Sequence, residues 1–433
     1  MTEIAVTSPV AGRTRRVVRS FDGALLLSGA TVGSGVLAYA YHVLAARVLG
    51  PDAYGLVAVL WAAMFLLVVV LFRPLEQTTS RALADRLARG QEVRSVLRSM
   101  VRIYLVLTLA IVVAAVLGWG VVRDELFLGD AAFVYALLAG LVAYGIAYVL
   151  RGVCAGSGWF GGYALLLVAD GGVRLLVAAP LVVIASKSLA ATAAVAAAIG
   201  SVVLPVALGR RRIAALLARG TGTPFVMADA VAFAWPAGVI ATADQVLVNG
   251  GPLLVMLQGG RDASSVAALV FAATMLVRIP VFIFQGLATS LLPNLTTLHA
   301  TREPKLFRRA VLRISAILWA FTAVLVVCAL LAGPETMRIV YGADYVTGRL
   351  ELTLLALGVG GYMATSAFSQ ALLALDRGRV AAAGWSVAAV LFLVLYFAIP
   401  GTPLLQVAAA FAIATTAGMA FLALTLSRAM GRR

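Results

Sequence analysis

Four ionisable side chains lie in the middle of long apolar runs: Asp170, Arg174, Asp244 and Arg278. A charge at the centre of a bilayer costs about 2.5–3.5 kcal/mol on insertion scales, so each must face protein or water. Arg278 stands just before Ile279-Pro280, where the proline should kink a helix and release a carbonyl. Thr274, Arg278, Gln285 and Thr289 then share one helical face, a polar stripe long enough to border a wet lumen. A guanidinium stays charged there and can grip a phosphate with two parallel hydrogen bonds. The competing reading is an ion pair with Asp244 or Asp170. Asp244 lies between Pro236 and the run Asn249-Gly250-Gly251-Pro252, which should interrupt its helix. Such breaks free carbonyls for a cation, and a carboxylate in low dielectric can take up a proton. A salt bridge from Asp244 to Arg278 is the alternative. Asp170 and Arg174 are four residues apart, so they are expected to neutralise each other as a structural ion pair.

Two further stripes accompany these charges. Ser28, Thr31, Gly35, Ala38 and His42 fall on one face of the first apolar run, and Gly238, Thr242, Gln245 and Asn249 on one face of the seventh. Either they line a shared cavity or they allow close helix packing. Gly29-xxx-Gly33 reads as a packing motif. His42 either packs in the interior or touches substrate or a proton. Arg47, Arg73 and Glu76 fall at run ends, where long side chains reach the interface, and Arg73 can also line a cavity mouth. There is no Walker A glycine loop with its lysine, and no catalytic constellation or metal-ligand spacing. No cofactor or metal is expected.

The elements that position these groups follow from composition. Hydrophobic residues make up 63% of the chain and charged residues 12%; mean hydropathy is +1.03. A soluble domain carries about 25% charged residues, so lipid must solvate this one. Twelve apolar runs are long enough to span as helices, at about 21–48, 54–72, 103–122, 131–152, 163–184, 189–208, 228–257, 264–293, 314–332, 350–374, 381–399 and 404–427. These runs are too long and too uniformly apolar for a spanning β-barrel. The net charge of +16 is an orientation signal rather than a nucleic-acid footprint. With a cytoplasmic N-terminus, 26 of the 34 Lys and Arg residues fall on the cytoplasmic side, six outside and two within spans. Both termini are therefore expected in the cytoplasm. The first run is longer than a signal-peptide core and is expected to stay. Cys154 and Cys328 form no disulfide frame. Outer loops are short apart from 333–349. Residues 73–102 read as a helical extension at the membrane surface, either touching anionic headgroups or simply solvated.

The chain also repeats itself. Asp52-Ala53-Tyr54-Gly55-Leu56-Val57-Ala58-Val59-Leu60-Trp61-Ala62-Ala63-Met64 recurs as Asp262-Ala263-Ser264-Ser265-Val266-Ala267-Ala268-Leu269-Val270-Phe271-Ala272-Ala273-Thr274, and Thr79-Ser80 falls on Thr289-Ser290. Six spans, an even number, separate the starts of the two halves, so the halves are parallel. Arg278 aligns with Val68, so the scaffold itself does not require the charge. Gly156-Ser157-Gly158 and Asp376-Arg377-Gly378 echo each other as tight turns. The expected organisation is a tail (1–20), a first lobe (21–208), a linker with Arg210-Arg211-Arg212 and a Gly/Thr/Pro stretch (209–226), a second lobe (227–427) and a tail (428–433).

The segment Ala45-Ala46-Arg47-Val48-Leu49-Gly50-Pro51-Asp52-Ala53-Tyr54-Gly55 resembles the first helix turn of Wzx-type polysaccharide flippases, within the multidrug/oligosaccharidyl-lipid/polysaccharide exporter superfamily. The resemblance implies an all-α integral membrane protein with two six-helix lobes in a V around a central cavity. It implies alternating-access transport of polyprenyl-(pyro)phosphate-linked oligosaccharide from the cytoplasmic to the outer leaflet of a bacterial inner membrane, for cell-surface polysaccharide export. Polysaccharide polymerase or assembly proteins are the implied partners, besides the lipid-linked sugar. Related lipid II flippases use lumen arginines, one in the eighth span, where Arg278 stands; they also carry two extra spans, which this chain lacks. On this reading Arg278, Gln285, Gln245, Asn249, Thr242 and His42 contact substrate, and Asp244 couples an ion or proton. The alternatives are a cation-coupled antiporter of small cationic molecules, a membrane-embedded glycosyltransferase or ligase, and a scaffold in a glycan-assembly complex.

Overall fold

In a computed structural model, the backbone is described for residues 9–218, 228–260 and 262–431. Some side chains within helices, including those of 282–283, 285–290 and 292–294, lie outside the described set. Almost everything described is helix: α1 (Pro9–Ala88), α2 (Arg94–Leu117), α3 (Ala131–Gly156), α4 (Phe160–Ala178), α5 (Lys187–Leu217), α6 (Ala228–Gln258), α7 (Ala263–Ala300), α8 (Pro304–Tyr341), α9 (Arg349–Ala374), α10 (Gly378–Ala398) and α11 (Pro403–Gly431). In lipid the helix satisfies every backbone polar group within its own segment, which is why this apolar sequence adopts it.

α1 is two crossings in one. Its 80 residues would reach about 120 Å as a straight helix. The ladder breaks at Gly50, with φ 70° and ψ 172°, a conformation open to glycine, and Pro51 starts the second arm. Ten helices are long and apolar enough to span, the two arms of α1 counting there as one, and the described apolar stretch of α7 is Ala263–Ile279. With the second arm and α7 the chain makes twelve crossing segments, the all-α architecture expected from its composition. Their outward faces are apolar, as on α8, where Ile317, Trp319, Val324 and Leu331 are exposed.

Two boundaries differ from expectation. α8 runs on through Pro334 to Tyr341, so the loop expected at 333–349 shrinks to 342–348. Gly333, Met337 and Tyr341 recur at helical spacing and are buried, and that apolar face holds the extra turns in place. Nor is 73–102 a single surface helix. α1 continues to Ala88, and Arg94 already opens α2. The Gly/Thr/Pro stretch expected as a linker lies mostly outside the described residues.

The repeat is visible in the backbone. Four turns on the arginine-rich face, here termed the basic face, close in one way. The N–H groups of Gln91, Trp159, Glu303 and Arg377 donate to the carbonyls of Arg86, Cys154, Leu298 and Leu372 at 2.9, 2.8, 3.1 and 2.9 Å. The residue before each donor is left-handed: Gly90, Gly158, Arg302 and Asp376, with φ of 68°, 69°, 55° and 58°. These are Schellman closures. They join α1 to α2, α3 to α4, α7 to α8 and α9 to α10, the same places in each set of six segments.

Close packing in the first set relies on Gly152 and Gly156 of α3. A Cβ on Gly152 would lie 2.7 Å from the Glu76 carbonyl oxygen, and one on Gly156 would lie 2.5 Å from that of Ser80. α3 therefore rides directly on the second arm of α1, a small-xxx-small contact. Gly29 and Gly33, expected to pack, meet nothing within 4 Å. Asp170 and Arg174 of α4 form a 2.8 Å ion pair, with the Arg174 side chain fully buried. Tyr144 of α3 donates to Asp170 (2.6 Å) and accepts from Arg174 (2.8 Å). The guanidinium also lies 4.4 Å from the Trp61 ring centre. This group pins α3, α4 and α1 together.

The two copies of the repeat touch at the face opposite the basic one. A Cβ on Gly55 would overlap the backbone oxygen of Ser264, and Ser264 Oγ donates to the Asp52 carbonyl at 2.6 Å. Arg47 Nε donates to the Val340 carbonyl at 2.7 Å, its Nη2 to that of Ile339, and the Tyr345 hydroxyl to that of Ala46 at 3.3 Å. Tyr39 and Tyr341 (6.3 Å between ring centres), Tyr54 and Tyr345 (6.4 Å), and Tyr54 and Phe271 (6.3 Å) complete the seal.

Two outcomes test this packing. Gly55→Leu forces the copies apart, so Ser264→Cys, on a background lacking Cys154 and Cys328, should react at least several-fold faster with an impermeant maleimide. Arg174→Met strands Asp170 in the interior and should cost about 3–5 kcal/mol, read as a lower Tm in detergent. Adding Asp170→Leu should recover most of that loss, since no buried charge then remains.

Candidate functional site

Pro252 sets the geometry of the site. α6 stays helical through Asn249-Gly250-Gly251-Pro252, so the break expected there is absent. The ring nevertheless removes one N–H, and the carbonyl four residues earlier, that of Val248, loses its helical donor. Arg278 Nη1 of α7 points at that oxygen, at a long 3.4 Å. Arg278 is half-buried and has no carboxylate within ion-pair distance among the described residues. The salt bridge to Asp244 that competed with the anion-binding reading is therefore not formed, although Asp244 and Tyr362 lie within electrostatic reach. Among the described residues its guanidinium thus has a single weak acceptor.

Asp244 is held in a relay of neutral groups. Tyr362 of α9 donates to Oδ1 at 2.5 Å and Gln245 Nε2 to Oδ2 at 2.8 Å; Asn249 Nδ2 donates to Gln245 Oε1 at 2.6 Å. Gln245 and Asn249 are buried, while Asp244 is half-buried. Tyr362 packs edge-on against Trp385 of α10 at 5.5 Å. A carboxylate with two hydrogen bonds and no cation within 4 Å can accept a proton or a cation, and the neutral relay passes the effect toward Asn249.

The remaining expected residues separate. Thr242 is exposed on α6 and its hydroxyl returns to the Gly238 carbonyl at 2.9 Å, outside the relay. Thr274 is buried and bonds the Val270 carbonyl at 2.7 Å. His42 does not reach open space. It is fully buried, 3.0 Å from the Tyr54 hydroxyl, among Tyr41, Trp61 and Phe271. The side chains of Gln285 and Thr289 lie outside the described residues. Asp170 and Arg174 belong to the structural group described above. Among the described residues no group of three or more His, Cys, Asp or Glu is placed to hold a metal.

Sequence reasoning gave Arg73 a place at a cavity mouth but passed over Arg151, Tyr148, Tyr163 and Tyr362. Arg73 is exposed and lies within electrostatic reach of Asp244, Tyr148, Glu76 and Tyr163. Pro74 of α1 lies 3.6 Å from where a Cβ on Gly238 of α6 would be, so this end of the second arm borders the joint between the two sets of segments. The signal was present: Tyr144, Tyr148 and Arg151 are spaced four and three apart, one face of α3. An arginine counted with the loops hid the stripe.

No family model matches the sequence. An uncharacterised protein of Mycobacterium tuberculosis is 28% identical over 411 residues, covering 91% of this chain and 89% of its own. One of Mycobacterium bovis is 26% identical over 363 residues, covering 82% and 81%. Among solved structures, an inward-facing multidrug resistance MATE family transporter of the MOP superfamily superposes with a TM-score of 0.74, at 15% identity over 92% of this chain and 96% of that one. An outward-facing MATE family structure gives 0.67, at 14% identity over 94% and 96%. A MOP superfamily transporter from Pyrococcus furiosus, described as having a binding pocket of reverse polarity, gives 0.68, at 15% identity over 94% and 95%. The chain has the fold of the MATE/MOP superfamily transporters.

Proposed function

We propose that this chain is a flippase that carries polyprenyl-(pyro)phosphate-linked oligosaccharide from the cytoplasmic to the outer leaflet by alternating access. Arg278 carries the reading. It is a half-buried guanidinium in an apolar helix, answered among the described residues only by the carbonyl that Pro252 leaves without a donor. Such a group retains most of its donors for an incoming phosphate, and hydrogen bonds to charged groups contribute about 1.5–3 kcal/mol each. The basic face is taken as cytoplasmic, on the positive-inside rule. Helix contacts between the two sets then close the outer end, through Gly55, Ser264, Arg47 and Tyr345, and the exposed Arg73 lies toward the cytoplasm.

In this reading the headgroup enters from the cytoplasmic side while the polyprenyl tail stays in lipid. Arg278 takes the phosphate, and Gln245 and Asn249 exchange their mutual hydrogen bonds for sugar hydroxyls. The bundles then rock about the joint, breaking the outer seal. The fold likeness supports a transporter of this kind, and the Pyrococcus furiosus protein of the same fold is a precedent for a pocket whose polarity differs from its relatives.

A second reading is favoured by one observation. Asp244 has no cation within 4 Å among the described residues, which suits a coupling ion or a small cationic substrate. Resistance to cationic dyes on expression would favour that antiporter.

Flipping of a fluorescent polyprenyl-diphosphate oligosaccharide in proteoliposomes distinguishes the two. Arg278→Ala should reduce its rate by about 10-fold or more, with unchanged insertion and Tm, because the charge-assisted bonds are lost. A rate equal to that of the parent would remove Arg278 from the mechanism. Asp244→Asn should abolish any dependence of the rate on an imposed proton gradient while leaving the rate without a gradient within about 3-fold of the parent, a loss below ~1 kcal/mol.

A further inference from the structure

Beyond Arg278, a second polar group occupies the first six segments. Five side chains lie within electrostatic reach of one another where α3 rides on α1: Arg73 and Glu76 from the second arm of α1, Tyr148 and Arg151 from α3, and Tyr163 from α4. Gly152 brings the α3 backbone against the Glu76 carbonyl, and Arg151 is within electrostatic reach of Glu76. The Tyr163 hydroxyl donates to Glu76 Oε1 at 2.6 Å. The Arg151 guanidinium lies 4.6 Å from the centre of the Tyr148 ring, which is buried. Arg151 Nε is buried and has no hydrogen-bond partner. Neither arginine has a carboxylate within 4 Å among the described residues. Glu76 is occupied by a tyrosine instead; among carboxylates Asp244 acts most strongly on Arg73, and Glu76 ahead of Asp170 on Arg151.

An unpaired buried N–H costs about 1–3 kcal/mol, which a binding site recovers when the ligand arrives. Two guanidinium groups against one hydrogen-bonded carboxylate leave the site cationic. The fork of Arg151, backed by the Tyr148 ring, is suited to a planar or tetrahedral oxyanion. Depth places it apart from Arg278. Arg278 aligns with Val68 in the repeat, five residues before Arg73, which is about 7 Å at 1.5 Å per residue. The arginine pair is thus about 7 Å nearer the basic face.

We infer that Arg73 and Arg151, framed by Tyr148, Tyr163 and Glu76, form a second oxyanion site that receives a negatively charged group of the substrate before or alongside Arg278. The inference rests on the proposed lipid-linked glycan reading for its biological ligand. The oxyanion has two sources, a second phosphate of a diphosphate linkage or the carboxylate of an acidic sugar. Both offer the same oxygens to the arginine pair.

Titration calorimetry on the full-length protein in detergent at low salt tests this with two probes, inorganic pyrophosphate and methyl glucuronide. Arg278→Ala should retain saturable binding of at least one probe within about 3-fold of the parent. Adding Arg73→Gln or Arg151→Gln to it should weaken that binding 10-fold or more. Arg73 is exposed, so its variant keeps the test valid should the Arg151 variant unfold on heating. Binding of pyrophosphate alone assigns the site to a phosphate, and binding of the glucuronide assigns it to an acidic sugar. Loss of all binding in Arg278→Ala, indifference to both added substitutions, or no binding of either probe overturns the inference. The readout uses no lipid-linked sugar, so a failed flipping assay leaves it interpretable, and the reverse also holds.

Discussion

Hydrocarbon cannot solvate a charge, so an ionised side chain within a span must be answered by its neighbours or by water that the protein admits. The chain answers its two deepest arginines unequally. Arg174 receives a carboxylate at 2.8 Å, a tyrosine hydroxyl and an indole face, and it is sealed, although its Nε and Nη1 have no hydrogen-bond partner. Among the described residues Arg278 receives one neutral carbonyl at 3.4 Å. A charged answer fixes structure, because separating such a pair strands two charges. A neutral answer leaves capacity. The first arginine therefore holds α1, α3 and α4 in one body, and the second is the one able to exchange partners during a working cycle.

Pro252 makes that second state sustainable. A proline inside a helix exposes an acceptor that has no charge and does not titrate. A guanidinium can rest on it and leave again without abandoning an ion, which would be far more expensive in a low dielectric. The relay from Asn249 through Gln245 and Asp244 to Tyr362 follows the same logic one turn away. Its members satisfy one another while the pocket is empty, and each holds a bond that a hydroxyl-rich ligand can replace.

Much of the architecture was legible in the sequence because composition and period state it directly. Twelve apolar runs, the repeat at 52–64 and 262–274, and the four-residue spacing of Asp170 and Arg174 all have local physical causes. What escaped was non-local. The extension of α8 to Tyr341 depends on the burial of Met337 and Tyr341 against distant helices. The continuity of α6 depends on packing that tolerates Pro252. His42 sits in an aromatic nest assembled from both repeats, so its polar type says nothing of access. Arg151 was counted with the loops and Arg73 placed at a cavity mouth without neighbours, since only the close approach of α3 to α1 at Gly152 brings the two helices together.

The bonds from Arg47 to α8 end on main-chain oxygens rather than on side chains. Whatever residues occupy 339 and 340, the same two carbonyls are presented, unpaired because the helix stops there. Recognition is thus written on one partner only. Divergence along α8 can proceed without loosening this fastening, provided that the helix still terminates at the same turn and the arginine beside the Gly50 break is kept.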